Sequence, residues 1–140
     1  MDKFEAYKIF TGTHWDVYLD HLQPRLGQVY IWAKNNGDVT DLSEASHEEF
    51  QELHLLMQKV RLALVTLFSP DLFNYASLGN TVRHLHVHMI PRYKESRCFE
   101  NIEFTDRTFG QHYEVNPPTK ELSAEWIEKL RKVISDKMKQ

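Results

Sequence analysis

The sequence has 140 residues, 41% of them apolar and 26% charged, which is typical of a soluble globular chain and predicts a single domain over residues 1–140. The net charge of −3 gives no indication of a protein that binds nucleic acid or a membrane surface, although it is compatible with a local site for a small anion. Because the single cysteine excludes an internal disulfide and no secretory signal or membrane-spanning run is present, we expect a cytoplasmic protein without membrane contacts.

The first predicted elements are two strands joined by a turn. The segment HWDVYLD (14–20) alternates between two faces with the period of a strand. Pro24 and Gly27 then predict a turn, and QVYIWA (28–33) is β-branched and aromatic like a second strand. A further turn follows at KNNGD (34–38).

The most regular helical pattern comes next. Ser46 precedes Glu49 by three residues, which is the spacing of a capping box at a helix N-terminus. The pair Ser69-Pro70 ends the pattern. Apolar side chains recur between these limits at helical spacing: Phe50, Leu53, Met57, Val60, Leu64 and Leu67.

Two more strands and a helix complete the predicted fold. The segment LFNYASLGN (72–80) resembles a strand running into a turn, and HLHVHMIP (84–91) a strand that its proline closes. Residues 93–118 show no clear pattern, and a last helix is predicted from about Ser123. Short connections between the strands favour an α+β domain with an antiparallel sheet, one long helix and a C-terminal helix.

Three histidines mark the strand at residues 84–91. His84, His86 and His88 share one face because they occupy every second position, and the apolar residues between them face the opposite way. Neighbouring Cα atoms in such a row lie about 6.6 Å apart, and the outer two lie about 13 Å apart. The sheet is therefore expected to bury one face and to present imidazoles on the other.

Three interpretations of this row remain open. It could be a polar outer face that happens to be rich in histidine. It could hold zinc, but one ion cannot reach all three imidazoles of a straight strand, and no partner motif offers another ligand. It could perform phosphoryl chemistry, because imidazole is a good nucleophile that is largely neutral at pH 7, and its neighbours could bind phosphate oxygens or protonate a leaving group.

The row and its surroundings resemble a known family. The pattern His-apolar-His-apolar-His-apolar-apolar followed by Pro91-Arg92 is similar to the signature of the histidine triad (HIT) family of nucleotide hydrolases and transferases. The approach GNTV (79–82) and the segment from Asp20 to Leu26-Gly27 extend the resemblance, which covers about residues 15–93.

The resemblance implies roles for the triad. His86 would attack the α-phosphate of a nucleotide and form a nucleotidyl-histidine, which water would hydrolyse. His84 would orient His86 through its backbone carbonyl, and His88 would contact the phosphate and the bridging oxygen. The substrates implied are dinucleoside polyphosphates or nucleoside phosphoramidates, with no cofactor required and a divalent cation possible alongside a polyphosphate.

The resemblance also implies a set of binding residues. Asp20 would bind the ribose hydroxyls and Tyr18 would border the base, although a turn residue and a core residue are the alternative interpretations. The expected hydrogen-bond donors to phosphate are Asn74, Asn80 and Thr81, with a plain turn role as the alternative for Asn80.

One position departs from the family pattern. Relatives commonly carry a histidine after the glycine that opens the second strand, where this chain has Gln28. Glutamine keeps an NH₂ donor for phosphate but cannot titrate. A nucleotide-binding module with little turnover is therefore the alternative to an enzyme. Family resemblance also implies a twofold homodimer with a sheet continued across the interface.

Overall fold

The structure, a computed structural model, describes residues 4–140 as one five-stranded sheet, a small hairpin and two α-helices. The elements are a 3-10 helix at Glu5–Tyr7, β1 (Lys8–Thr11), β2 (Trp15–Leu19), β3 (Val29–Ala33), a 3-10 helix at Leu42–Glu44, α1 (His47–Phe68), β4 (Leu72–Ala76), β5 (His86–Arg92), β6 (Arg97–Phe99), β7 (Ile102–Phe104) and α2 (Ala124–Met138). The large sheet is antiparallel in the order β1-β2-β3-β5-β4, and β6 pairs with β7. The predicted α+β fold is confirmed.

The long helix begins where its capping signal predicts. The Ser46 side chain accepts from the Glu49 amide and the Glu49 side chain accepts from the Ser46 amide, so both halves of the capping box are present. The helix ends at Ser69, whose left-handed backbone (φ +50°) interrupts the helical geometry. No helix among residues 4–140 has the length and apolar character needed to cross a bilayer.

The core lies between one face of the sheet and the two helices. The strand residues that face it are buried, among them Val17, Ile31 and Val87, and they join α1 and α2 in one apolar cluster. The strand alternation leaves Tyr18, Tyr30 and the triad residues of β5 on the other face. The same alternation therefore builds the core and frees the opposite face for a site.

The triad strand differs from its predicted limits. Regular pairing begins at His86 rather than His84, and Pro91 does not close the strand, which continues to Arg92. The Leu85 carbonyl accepts a hydrogen bond from the Ala33 amide, next to the end of β3 that pairs with β5. Every second residue from Leu85, Pro91 included, therefore directs its backbone polar groups toward β3. The pairing with β3 ends at Met89, and the missing N–H of Pro91 therefore interrupts no ladder.

Two other predicted segments are corrected. Strand β4 ends at Ala76, and residues 77–85 form an irregular loop, so the strand stops before the predicted Gly79-Asn80 turn. The segment without a sequence pattern contains the β6–β7 hairpin and a loop that returns to the sheet face opposite the helices.

Candidate active site

A cavity of about 530 Å³ opens on the sheet face opposite the helices. Side chains of neighbouring strands form its floor. Trp32 pairs with His86, and Tyr30 lies between Tyr18 and His88. The rings contact one another, with Tyr18 and Tyr30 stacked at 5.3 Å between centroids. The walls come from three loops and include Asp20, His21, Leu22, Arg25 and Gln28, then Leu78 and Val82, then Tyr113, Glu114, Val115 and Asn116.

His86 has the geometry of a nucleophile. It lines the cavity, and its Nδ1 lies 2.6 Å from the backbone carbonyl oxygen of His84. Because a carbonyl only accepts hydrogen bonds, we infer that Nδ1 carries the proton. In the neutral imidazole, Nε2 is then the nitrogen with an available lone pair. The carbonyl contact is the one that the family resemblance implied.

His84 is held by β3 and lies outside the cavity lining. Its ring stacks on Trp32 with centroids 4.1 Å apart, and its Nε2 lies 2.5 Å from the carbonyl oxygen of Ala33. These contacts fix the residue whose carbonyl orients His86. Trp32 also lies against His86 at 5.5 Å, so one indole supports both histidines.

His88 lines the cavity beside His86, with ring centroids 4.8 Å apart. Burial lowers the pKa of His88 below its ordinary value of 6.5, and the neighbouring His86 lowers it further, while Asp20 opposes both effects. His88 is therefore predominantly neutral at pH 7 in the unliganded protein. A neutral imidazole can still donate one hydrogen bond to a phosphate or bridging oxygen.

The predicted binding residues of β2 and its following turn lie in the cavity. Tyr18, Asp20 and Gln28 all belong to its lining. Asp20 also serves its turn, since its Oδ1 accepts from the Leu22 amide at 3.0 Å. The Gln28 side-chain amide accepts from Arg25 and donates one hydrogen bond to Asp20.

The three predicted phosphate donors do not line the cavity. The Asn74 amide oxygen accepts from Arg92 at 2.8 Å, which ties this side chain to a buried structural network. Asn80 and Thr81 are exposed in the loop that replaces the end of the predicted strand. Arg92 itself binds Asp106 at 2.6 Å and is 2% exposed, so its role is structural.

Sequence reasoning missed several lining residues. Tyr30 and Trp32 follow Gln28 at every second position, so strand alternation predicts that they share its face of the sheet. Arg25 and the segment 113–116 carried no comparable signal, because only the folded chain brings them together.

Residues 4–140 offer no cluster of three or more His, Cys, Asp or Glu side chains that could hold a metal ion. The strand pair His86 and His88 would thus need a further ligand that the described side chains do not supply.

Comparison with known proteins gives concordant results. The family model described as HIT domain matches residues 18–95. An uncharacterized HIT-like protein of Mycoplasma genitalium is 27% identical over 117 residues, which cover 79% of this chain and 82% of that protein. The bis(5′-adenosyl)-triphosphatase of Dictyostelium discoideum is 33% identical over 100 residues, which cover 67% of this chain and 64% of that protein. A solved histidine triad protein of Marinobacter aquaeolei has the same fold, with a TM-score of 0.76 at 19% identity over 99% of this chain and 94% of that chain.

Proposed function

This chain belongs to the HIT domain family, and we propose that it hydrolyses nucleotides at the α-phosphate through a covalent intermediate on His86. The observation that carries the proposal is the hydrogen bond from His86 Nδ1 to the His84 carbonyl, which directs the proton away from the cavity and leaves Nε2 as the nucleophile.

The proposed reaction has two steps. The Nε2 lone pair of His86 attacks the α-phosphorus, a P–N bond forms and the P–O (or, in a phosphoramidate, P–N) bond to the leaving group breaks with its electron pair. The leaving group takes a proton from solvent, or from His88 once contact with the bound phosphate has protonated that imidazole. Water then attacks the same phosphorus and releases a proton to solvent, the P–N bond to His86 breaks, and the nucleoside monophosphate departs.

The remaining cavity residues suit the rest of a nucleotide. Asp20 offers carboxylate oxygens to ribose hydroxyls, and the rings of Tyr18 and Tyr30 offer an apolar surface. No cofactor is needed for the nucleophile in this scheme, although a divalent cation can accompany a polyphosphate. We propose dinucleoside polyphosphates as the first substrate class, supported by the similarity to a bis(5′-adenosyl)-triphosphatase, and nucleoside phosphoramidates as the second.

The test is direct detection of the intermediate. Wild type and His86→Ala are incubated with an adenylyl substrate from each class, quenched and analysed by mass spectrometry of the triad peptide. We expect an adenylyl adduct and release of AMP by wild type, and neither by His86→Ala.

The matched control is His54→Ala, which removes an exposed imidazole of α1 and should leave adduct and turnover unchanged. Nucleotide binding without adduct or product across the panel would instead identify a binding module. If a chelator abolishes the activity and zinc restores it, the protein is a zinc-dependent hydrolase and the covalent mechanism on His86 is wrong.

A further inference from the structure

Three side chains form a hydrogen-bonded chain along one wall of the cavity. Arg25 Nη1 donates to Gln28 Oε1 over 3.2 Å, and Gln28 Nε2 donates to Asp20 Oδ2 over 3.4 Å. All three residues line the cavity, and Arg25 and Gln28 are only 5% and 6% exposed.

The order of donors and acceptors fixes the orientation of the Gln28 amide. A guanidinium only donates hydrogen bonds, and an ionised carboxylate only accepts them. A flipped amide would place its NH₂ group against Arg25 and its oxygen against Asp20, and both contacts would be repulsive. Gln28 therefore connects the Arg25 guanidinium to the Asp20 carboxylate in one orientation. Its amide does not titrate, so this connection carries no proton of its own.

The Asp20 carboxylate is held at both oxygens. Oδ1 accepts from the Leu22 amide at 3.0 Å, and Oδ2 accepts from Gln28. The surrounding backbone is closed by the hydrogen bond from the Asp20 amide to the Gln28 carbonyl at 3.0 Å. The side-chain amide of the buried Gln23 donates to the backbone carbonyls of Asp20 and Gln28, at 2.8 Å each. The turn is thus rigid, and the Gln28 side chain fixes the position of Asp20 Oδ2.

Arg25 is unusual for a buried cation. Among residues 4–140 its hydrogen bonds go to neutral oxygens only, the Gln28 amide and the Glu114 backbone carbonyl at 2.6 Å, and its guanidinium lies 5.5 Å from the Tyr113 ring centre. Burial lowers the pKa of Arg25 below its ordinary value and Arg92 lowers it further, while the carboxylates of Asp106 and Glu114 offset only part of the effect. Burying a cation among neutral partners is costly, which indicates a role beyond packing.

We propose that Arg25 is a positioning residue that acts through Gln28 to fix the Asp20 carboxylate for the ribose hydroxyls of a bound nucleotide. The inference rests on the proposed function, in which Asp20 binds ribose. Its consequence is that the preference for a ribonucleotide over one without 2′ and 3′ hydroxyls depends on Arg25, although Arg25 itself touches neither hydroxyl.

The test compares the affinities of AMP and 2′,3′-dideoxy-AMP by titration calorimetry. Arg25→Met and Gln28→Met should each weaken AMP binding by about tenfold, the effect of losing one charge-assisted hydrogen bond, while dideoxy-AMP binding stays at the wild-type level. The double variant should show no further loss, because both changes break one chain. Tyr113→Leu, the control, removes the ring beside Arg25 and should shift both affinities alike.

The outcomes separate the two proposals. If wild type prefers AMP and Arg25→Met keeps that preference, the positioning role is wrong while the nucleotide hydrolase stands. If wild type binds both nucleotides equally, Asp20 does not bind the ribose hydroxyls and the inference is overturned. If wild type binds neither nucleotide and forms no adduct, both proposals fail. Should Arg25→Met not fold, Gln28→Met alone decides, since it leaves the guanidinium in place.

Discussion

At the scale of single residues, the three histidines have different environments although their sequence spacing is uniform. His86 and His88 line the cavity, whereas His84 is held between Trp32 and a backbone carbonyl of β3. The difference arises because regular pairing of β5 begins only at His86. The first histidine therefore contributes its backbone carbonyl to the site, and its side chain secures that carbonyl.

A prediction at this scale concerns pH and His88. Its pKa is lowered in the folded protein by burial and by His86, so as pH falls below about 6.5 the unfolded chain takes up a proton before the native one does. Stability should therefore fall as pH drops from about 7 through this range, and should not depend on His88 above it. Urea unfolding between pH 5 and pH 8 should show a smaller acid loss for His88→Asn than for wild type.

The control for this measurement is His54→Asn, which changes an exposed imidazole and should retain the wild-type acid loss. An acid loss in His88→Asn equal to that of wild type would contradict the lowered pKa.

At the scale of elements, a buried ion pair attaches the irregular loop between β7 and α2 to the sheet. Arg92, at the end of β5, donates to both carboxylate oxygens of Asp106 and to the carbonyls of Thr108 and Gln111. Both side chains of the pair are 2% exposed. The loop continues into residues 113–116, which form one cavity wall, so the position of that wall depends on an arginine outside the cavity lining.

Removal of this arginine should be costly. Arg92→Met leaves the buried Asp106 carboxylate unpaired, and we expect a loss of about 3–5 kcal/mol in the free energy of unfolding, measured with urea. The double variant Arg92→Met/Asp106→Leu should recover most of the loss, because no charge is then left buried without a partner. A loss below about 1 kcal/mol in the single variant would show that the pair contributes little.

At the scale of the whole molecule, the five-stranded sheet has two edges, β1 and β4. Strand β4 presents Leu72 and Tyr75 with 44% and 46% exposure. An open edge with exposed apolar side chains is suited to strand pairing with a second copy. The family's twofold homodimer with a continued sheet remains a prediction, and β4 is the edge that we expect to form it.

Sedimentation velocity tests this assembly. Wild type should sediment as a dimer at micromolar concentration, and Tyr75→Lys should shift it toward monomer, because an edge lysine disfavours strand pairing. Thr11→Lys places the same charge on the opposite edge, β1, and should remain dimeric. A monomeric wild type, or equal effects of the two lysines, would contradict pairing through β4.

Local sequence patterns predict the features of this protein that depend on residues near one another in the chain. The capping box at Ser46 and the alternation around His86 each involve residues only a few positions apart, and they were sufficient for the helix start, the buried face and the triad. Tertiary structure alone decided the cavity walls. Arg25 and Glu114 are 89 residues apart in the chain, and no local periodicity reports their contact. It likewise placed Asn74 against Arg92 and outside the cavity lining, since a polar side chain near a site hydrogen-bonds whichever buried partner the fold brings closest.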